Sequence, residues 1–311
     1  MSHEPKRQVV TSEMVGRVDR VVQHLTGLSR ARVRALFDHD CVRVNGQLGY
    51  RDFSPVQAGD EVEVRFDPHN LPREKPADWQ DPAFTLIYED DQLLVVDKAA
   101  HVLTVPTEEG ERKTLLEAVD RYLQRSGRGD HAQVMQRLDR GTSGVLVLAK
   151  TDIAYERLRA QFAAHKPLRE YLAIVAGLLP KDKGVFESYL KTGTDLSRYS
   201  TRAADTGGEI AITHYQVELR TADLTLVRCQ LETGRRNQIR VHFAEAGHPV
   251  LGDPRYRPDQ AKHPRWRAKR LALHAAVLEF THPTTGKPMH FESPLPYAFT
   301  APLGHPPRPE A

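Results

Sequence analysis

The run Gln136-Arg137-Leu138-Asp139-Arg140-Gly141-Thr142-Ser143-Gly144 sets one carboxylate between two guanidiniums, then passes through turn-formers into the apolar segment Val145-Leu146-Val147-Leu148-Ala149. Opposite charge close to a carboxylate favours its ionised form and weakens it as a base. Such a group suits attack on an electron-poor carbon or stabilisation of a developing cation. Gly141 and Gly144 relieve the backbone where a side chain would clash, and Thr142 and Ser143 can bond nearby amides. A tight loop feeding a buried strand is therefore expected, with Asp139 on a rigid support. Taken alone, an Arg-x-Asp-Arg run more often forms a surface ion-pair network over a turn.

Three other stretches carry residues able to share in such chemistry. Tyr171 opens the apolar strand Leu172-Ala173-Ile174-Val175, and Lys98 closes the strand Leu93-Leu94-Val95-Val96. In Thr233-Gly234-Arg235-Arg236-Asn237-Gln238-Ile239-Arg240-Val241-His242, Gly234 should break a strand and residues 237–246 should form a helix. Arg235 at that junction is expected to reach across to Asp139, keeping it charged and oriented. Arg30, Arg32 and Arg34 give one short helix a basic side of the kind that grips phosphates. Residues 191–208, with Arg198 and Arg202, are expected to cross the surface, where they could touch RNA; residues 261–270, where basic side chains interleave with Trp266, suit either RNA backbone contact or a flexible surface loop.

The elements that must position these groups follow in order. Residues 1–10 are polar and expected to fray. Residues 12–66 form a compact unit of two helices, the second capped by Ser29, followed by strands joined at the Asn45-Gly46 turn signal. Its acids match its arginines in number, so charge alone would leave that helix an ordinary solvated face. Residues 67–83 hold Pro68, Pro72, Pro76 and Pro82 among charges and read as a stiff linker. Residues 84–300 form the large domain, with amphipathic helices near 114–124 and 152–162, the latter capped by Thr151 or Asp152. Residues 301–311 are expected to be a disordered tail.

The chain has 311 residues, 40% hydrophobic and 27% charged, which suits one large domain with a small companion. Net charge is only +3, from 44 basic and 41 acidic residues, so local patches matter more than the sum. No apolar run approaches a bilayer span and the first residues are too polar for a secretory signal, so a cytoplasmic protein with no membrane partner is expected. Cys41 and Cys229 lack metal-ligand spacing and are expected to be reduced core thiols; no metal site is expected.

Taken together, the Asp139 loop, the segment Leu86–Lys98, the Tyr171 strand and the run Thr233–His242 with Gly247-His248-Pro249-Val250-Leu251-Gly252-Asp253 resemble the RluA-type RNA pseudouridine synthases. Arg137-Leu138-Asp139 and Thr142-Ser143-Gly144 match that family's loop, with Gln136 where the pattern usually has His. Asp97-Lys98-Ala99-Ala100-His101 departs from its usual Asn-Lys-Pro-Ala-Gly, and Arg236-Asn237 replaces a pair that is often Thr-His. Residues 12–66 resemble the small alpha-L RNA-binding domain first described in a ribosomal protein. The resemblance implies an α+β fold: a mixed, mainly antiparallel sheet with flanking helices, preceded by that small domain.

The implied activity is isomerisation of uridine to pseudouridine in structured RNA without a cofactor, large-subunit ribosomal RNA before transfer RNA, and no DNA. Asp139, Tyr171 and Arg235 are the implied catalytic group. Tyr171 would stack on the base, and Arg137 would fill the space the extruded uridine leaves. Arg30, Arg32, Arg34, Lys98 and Arg240 join Arg137 as expected RNA contacts. Asp139 as nucleophile on the sugar and Asp139 as base for a sugar proton both remain open. So does a non-catalytic RNA-binding or ribosome-assembly factor on the same scaffold.

Overall fold

A computed structural model of the chain describes residues 5–68, 71, 81–107, 110–126, 131–201 and 207–304. Most of the expected linker, Arg202 and residues 305–311 lie outside these.

The N-terminal unit packs helices Val18–Thr26 and Arg30–Asp38 on a three-stranded antiparallel sheet ordered Lys6–Val9, Glu61–Val64, Val42–Val44. Alternation does the work: Val42, Val44, Val62 and Val64 point inward onto Val18, Val21, Val22, Val33 and Leu36. Ser29 caps the second helix, accepting from the Arg32 amide at 3.5 Å. Asn45 and Gly46 both take positive φ, as a two-residue hairpin turn requires, and the Asn45 amide side chain ties the turn to Asp60 and to the Glu61 amide. One expectation is corrected here: Lys6–Val9 is an edge strand rather than frayed chain, because its ladder to Glu61–Val64 ends in the buried Val10.

The large unit is one sheet of eleven strands among the described residues. Nine lie on its main path in the order Arg198–Thr201, Lys183–Thr192, Glu209–Arg220, Leu224–Leu231, Leu168–Ala176, Leu273–Thr281, Ser143–Ala149, Leu93–Lys98, Phe84–Glu89. Neighbours run antiparallel except Ser143–Ala149 and Leu273–Thr281, which are parallel. Helix Leu115–Ser126 covers one face and helix Asp152–Ala163 the other. Along Leu93–Lys98, Leu94 and Val96 therefore meet Val119 and Leu123, while Leu93 and Val95 meet Ala154 and Leu158. Ser143–Ala149 lies between both layers and is buried at every residue, which explains its uninterrupted apolar run.

Thr114 and Glu117 form a reciprocal cap on the first of these helices, and Thr151 caps the second. The C-terminus departs from expectation. Thr300–Leu303 is a helical turn whose Thr300, Pro302 and Leu303 are buried, with Phe299 and Leu303 in the main core. Apolar burial, not local propensity, holds it there. Cys41 and Cys229 are both free. Among the described residues no helix is long and apolar enough to cross a membrane.

Candidate active site

The Asp139 loop is pinned from both sides. Thr104 Oγ1 accepts from the Leu138 amide at 3.1 Å and donates to the Leu138 carbonyl at 2.8 Å, and the Thr142 amide donates to the Asp139 carbonyl at 3.0 Å. Gly144 then takes φ +119° where the parallel strand comes close, and a Cβ there would stand 2.1 Å from the Ala275 carbonyl oxygen. Only glycine lets the chain turn into the sheet at that point. Asp139 is left facing a cleft of about 550 Å³, lined also by Thr104, Gln136, Phe162, His165, Arg169 and Tyr171, with Arg137, Arg140, Arg235 and Arg236 among its guanidiniums.

The carboxylate is paired, but not with the residue expected. Arg240 Nη1 donates to Asp139 Oδ2 at 2.8 Å and to Asn237 Oδ1 at 3.0 Å. Its Nε and Nη2 grip Asp253 at 2.7 and 2.9 Å. Burial alone would lower the Arg240 guanidinium; the Asp253 bonds and the charge of Asp139 outweigh it and hold it above its ordinary value. Arg240 is therefore a buried clamp between two carboxylates, and with every nitrogen committed it cannot be the RNA contact expected of it.

Arg235 points elsewhere. It donates to the Ile210 carbonyl at 3.1 Å and pairs with Glu209 at 2.9 Å, so the expected bond to Asp139 is not made. The helix Gln238–Glu245 begins at Asn237, whose φ of +58° turns the chain and presents Arg240 one turn later to Asp139. Asn237 and Asp253 were overlooked as participants. Both stand in the segments that carry the family resemblance, and an Asn before a helix is a left-handed candidate. Tyr171 lines the cleft beside Asp139 and is only 8% exposed. Burial raises its phenol, with Arg169 opposing and Asp139 adding to the rise.

A family model described as RNA pseudouridylate synthase matches residues 92–245. The chain is 37% identical over 304 residues to ribosomal large subunit pseudouridine synthase D of Zymomonas mobilis, covering 94% of this chain and 95% of that one. The protein of the same name from Pasteurella multocida is 32% identical over 310 residues, covering 94% and 91%. The chain belongs to the RNA pseudouridylate synthase family. Its fold agrees with the solved human RNA pseudouridylate synthase domain containing 4, at TM-score 0.58 and 20% identity, over 70% of this chain and 91% of that one. The activity is pseudouridine formation in RNA.

Of the RNA contacts expected in this synthase, Arg137 is exposed at the cleft. Lys98 is not: it is fully buried, and its Nζ donates to the Ala99 and Val102 carbonyls at 2.8 Å each. Burial, with Arg270 assisting and Asp139 and Asp97 opposing, pushes its ammonium down to about 7. It shapes the loop of residues 99–102, where the sequence departs from the family pattern, and cannot reach a phosphate. Arg30 and Arg34 are both exposed, Arg34 bonding Asp52 at 3.4 Å, whereas Arg32 donates to the Leu71 carbonyl at 3.1 Å and approaches Asp91 at 3.7 Å.

In the other two basic stretches, three residues are also anchored. Arg198 is buried against Glu209 at 2.7 Å, Trp266 is buried and donates to the Arg270 carbonyl at 2.9 Å, and Arg265 pairs with Asp223.

Proposed function

We propose that this enzyme modifies uridine in large-subunit ribosomal RNA, in the cytoplasm, with Asp139 as its catalytic carboxylate. The observation that carries the role of Asp139 is its pairing with Arg240 on a pinned loop facing the cleft, beside Tyr171. Relatives aligned over nearly their whole length and bearing the large-subunit name support the choice of RNA.

The reaction proceeds in three stages. The uridine leaves its stack at a cost of about a few kcal/mol, offset by backbone contacts from the exposed arginines, and Arg137 fills the gap. The base enters the cleft against the Tyr171 ring, a stacking contact worth roughly 1–3 kcal/mol. Asp139 then either bonds to the sugar carbon or takes a sugar proton while the glycosidic bond breaks. Arg240 keeps it oriented for either course. Uracil turns and rejoins through carbon, so nothing outside RNA is consumed. Residues 12–66, as an alpha-L RNA-binding unit, would hold the RNA near the cleft and raise the local concentration of the target.

The test maps pseudouridines across ribosomal and transfer RNA by carbodiimide-dependent reverse-transcription stops, in cells with and without the gene. Defined large-subunit sites should vanish and be restored by the wild type but not by Asp139→Asn. Loss confined to transfer RNA would overturn the substrate, and restoration by the variant would overturn the role of Asp139.

A further inference from the structure

Arg169 is a buried cation on the cleft wall that the reaction as described does not use. It is 7% exposed and lines the cleft with Tyr171, two residues along the same strand and buried like it, while Glu170 between them bonds Arg228 instead. Its Nη2 donates to the Leu231 and Glu232 carbonyls at 3.3 and 2.9 Å, and its guanidinium lies 5.9 Å from the centre of the Phe162 ring. Its Nε is buried without a hydrogen-bond partner, and among the described residues it has no carboxylate partner. Burial lowers its guanidinium, Tyr171 acting the other way, yet arginine stays protonated in proteins. A buried cation without an acid is what folding avoids unless something anionic is to arrive.

The second observation concerns Gly234, in the Thr233-Gly234-Arg235 turn. Its φ is ordinary, so backbone freedom does not explain it. A Cβ there would stand 2.4 Å from Arg169 Nη1, so the missing side chain is what gives the guanidinium room at the cleft.

We propose that Arg169 donates to a carbonyl oxygen of uracil and stabilises the negative charge that base acquires as it leaves the sugar. This rests on the function proposed above. The C1′–N1 bond breaks and its electron pair passes into the ring and onto the carbonyl oxygens. The sugar is balanced by a bond from Asp139 to C1′, or by transfer of a sugar proton to Asp139 that is later returned. C5 then bonds to C1′, releases its proton, and N1 gains one, so no co-reactant is needed. A phosphate is the other anion RNA offers, but exposed guanidiniums at Arg137 and Arg140 already serve the surface. A side chain this buried, next to the tyrosine that meets the base, suits the group that enters deepest.

The test uses the full chain and in vitro transcripts of large-subunit ribosomal RNA made with uridine or with 5-fluorouridine, whose base leaves more readily because fluorine withdraws electrons. Loss of the N-linked uridine or 5-fluorouridine is counted by mass spectrometry in single turnovers, because the fluorinated base has no C5 proton to release after it rejoins, and RNA affinity is measured across a salt series. Arg169→Met should slow the uridine reaction by about 10²-fold, the scale of one lost oxyanion donor, with affinity within about two-fold. The defect should shrink about ten-fold on the fluorinated RNA, and Arg169→Lys should regain part of the rate. Gly234→Ala, which displaces the guanidinium without removing it, should slow the same step.

Equal defects on both RNAs, or an unchanged rate, would overturn the proposal. Weaker binding with a salt slope reduced by about one would assign Arg169 to a phosphate instead. If the wild type forms no product on this RNA, the substrate assignment fails instead. Arg169 would then be retested on whichever RNA the cellular map identifies.

Discussion

The turn at Glu89 and Asp90 and the loop at Asp139 both set carboxylates against cations, yet the two are finished differently. Glu89 receives Lys150 and the Tyr122 hydroxyl, each at 2.6 Å; Asp90 receives the Gln92 and Leu93 amides, the Tyr88 hydroxyl and His282 at 2.7–2.9 Å. Both carboxylates are wholly withdrawn from water. Asp139 keeps a quarter of its side chain exposed, and around its cleft Arg169 Nε and Thr142 Oγ1 are buried without partners. Saturated charge holds a framework together, whereas charge left partly open at a cleft is available to a ligand.

The largest effect should come from removing the open charge. Asp139→Asn keeps the shape of the side chain and the Arg240–Asp253 clamp, so folding and RNA affinity should change little. Pseudouridine formation should fall on the order of 10³-fold or more. Single-turnover product counts and filter binding check this, and a fall of less than ten-fold would break the distinction from that side.

Removing saturated charge should do the reverse. Lys150→Met takes the paired cation from a carboxylate wholly withdrawn from water, and breaking such a pair costs about 3–5 kcal/mol. Urea unfolding should show that loss, while the protein that remains folded turns over at the wild-type rate.

A buried group with no acid bonded to it sharpens the contrast. His242 is bonded by the Thr213 and Ser188 hydroxyls, and burial, opposed only by Glu245, pushes its imidazole down to about 4. Its folded value lies below its unfolded one, near 6.5, so its share of stability is present above that pH. It is lost as the pH falls from about 6.5 toward 4, and amounts to about 3 kcal/mol. His242→Gln should flatten the stability profile by about 2 kcal/mol between pH 7 and pH 4.5, as urea unfolding at those two values would show.

What the sequence disclosed follows the range of the interactions concerned. The caps at Ser29 and Thr151, the Asn45-Gly46 turn and the glycine-bearing entry to Ser143–Ala149 are fixed within a few residues, and were legible. The choice between Arg235 and Arg240 depends on the angle at which one helix leaves one strand, which the left-handed Asn237 sets, and was not. Lys98 offered a signal that went unused: on its strand it shares a face with Leu94 and Val96, so alternation alone directs it inward. The strand Lys6–Val9 exists only because Glu61–Val64 presents an edge to it, and no local property of Lys6-Arg7-Gln8-Val9 announces that.

The smallest effect belongs to the arginine that was expected at the carboxylate. Arg235 pairs with Glu209 where their side chains are 32% and 47% exposed, so water already solvates much of both charges. Arg235→Gln should therefore cost no more than about 1 kcal/mol in stability despite the short contact, because Glu209 keeps Arg198 at 2.7 Å. It should leave Asp139 undisturbed, because Arg240 rather than Arg235 holds that carboxylate. The rate of pseudouridine formation should stay within about three-fold of wild type at saturating RNA. A loss approaching that of Asp139→Asn would mean that Arg235 leaves Glu209 for Asp139 once RNA is bound, and the pairing described here would then belong to the free enzyme alone.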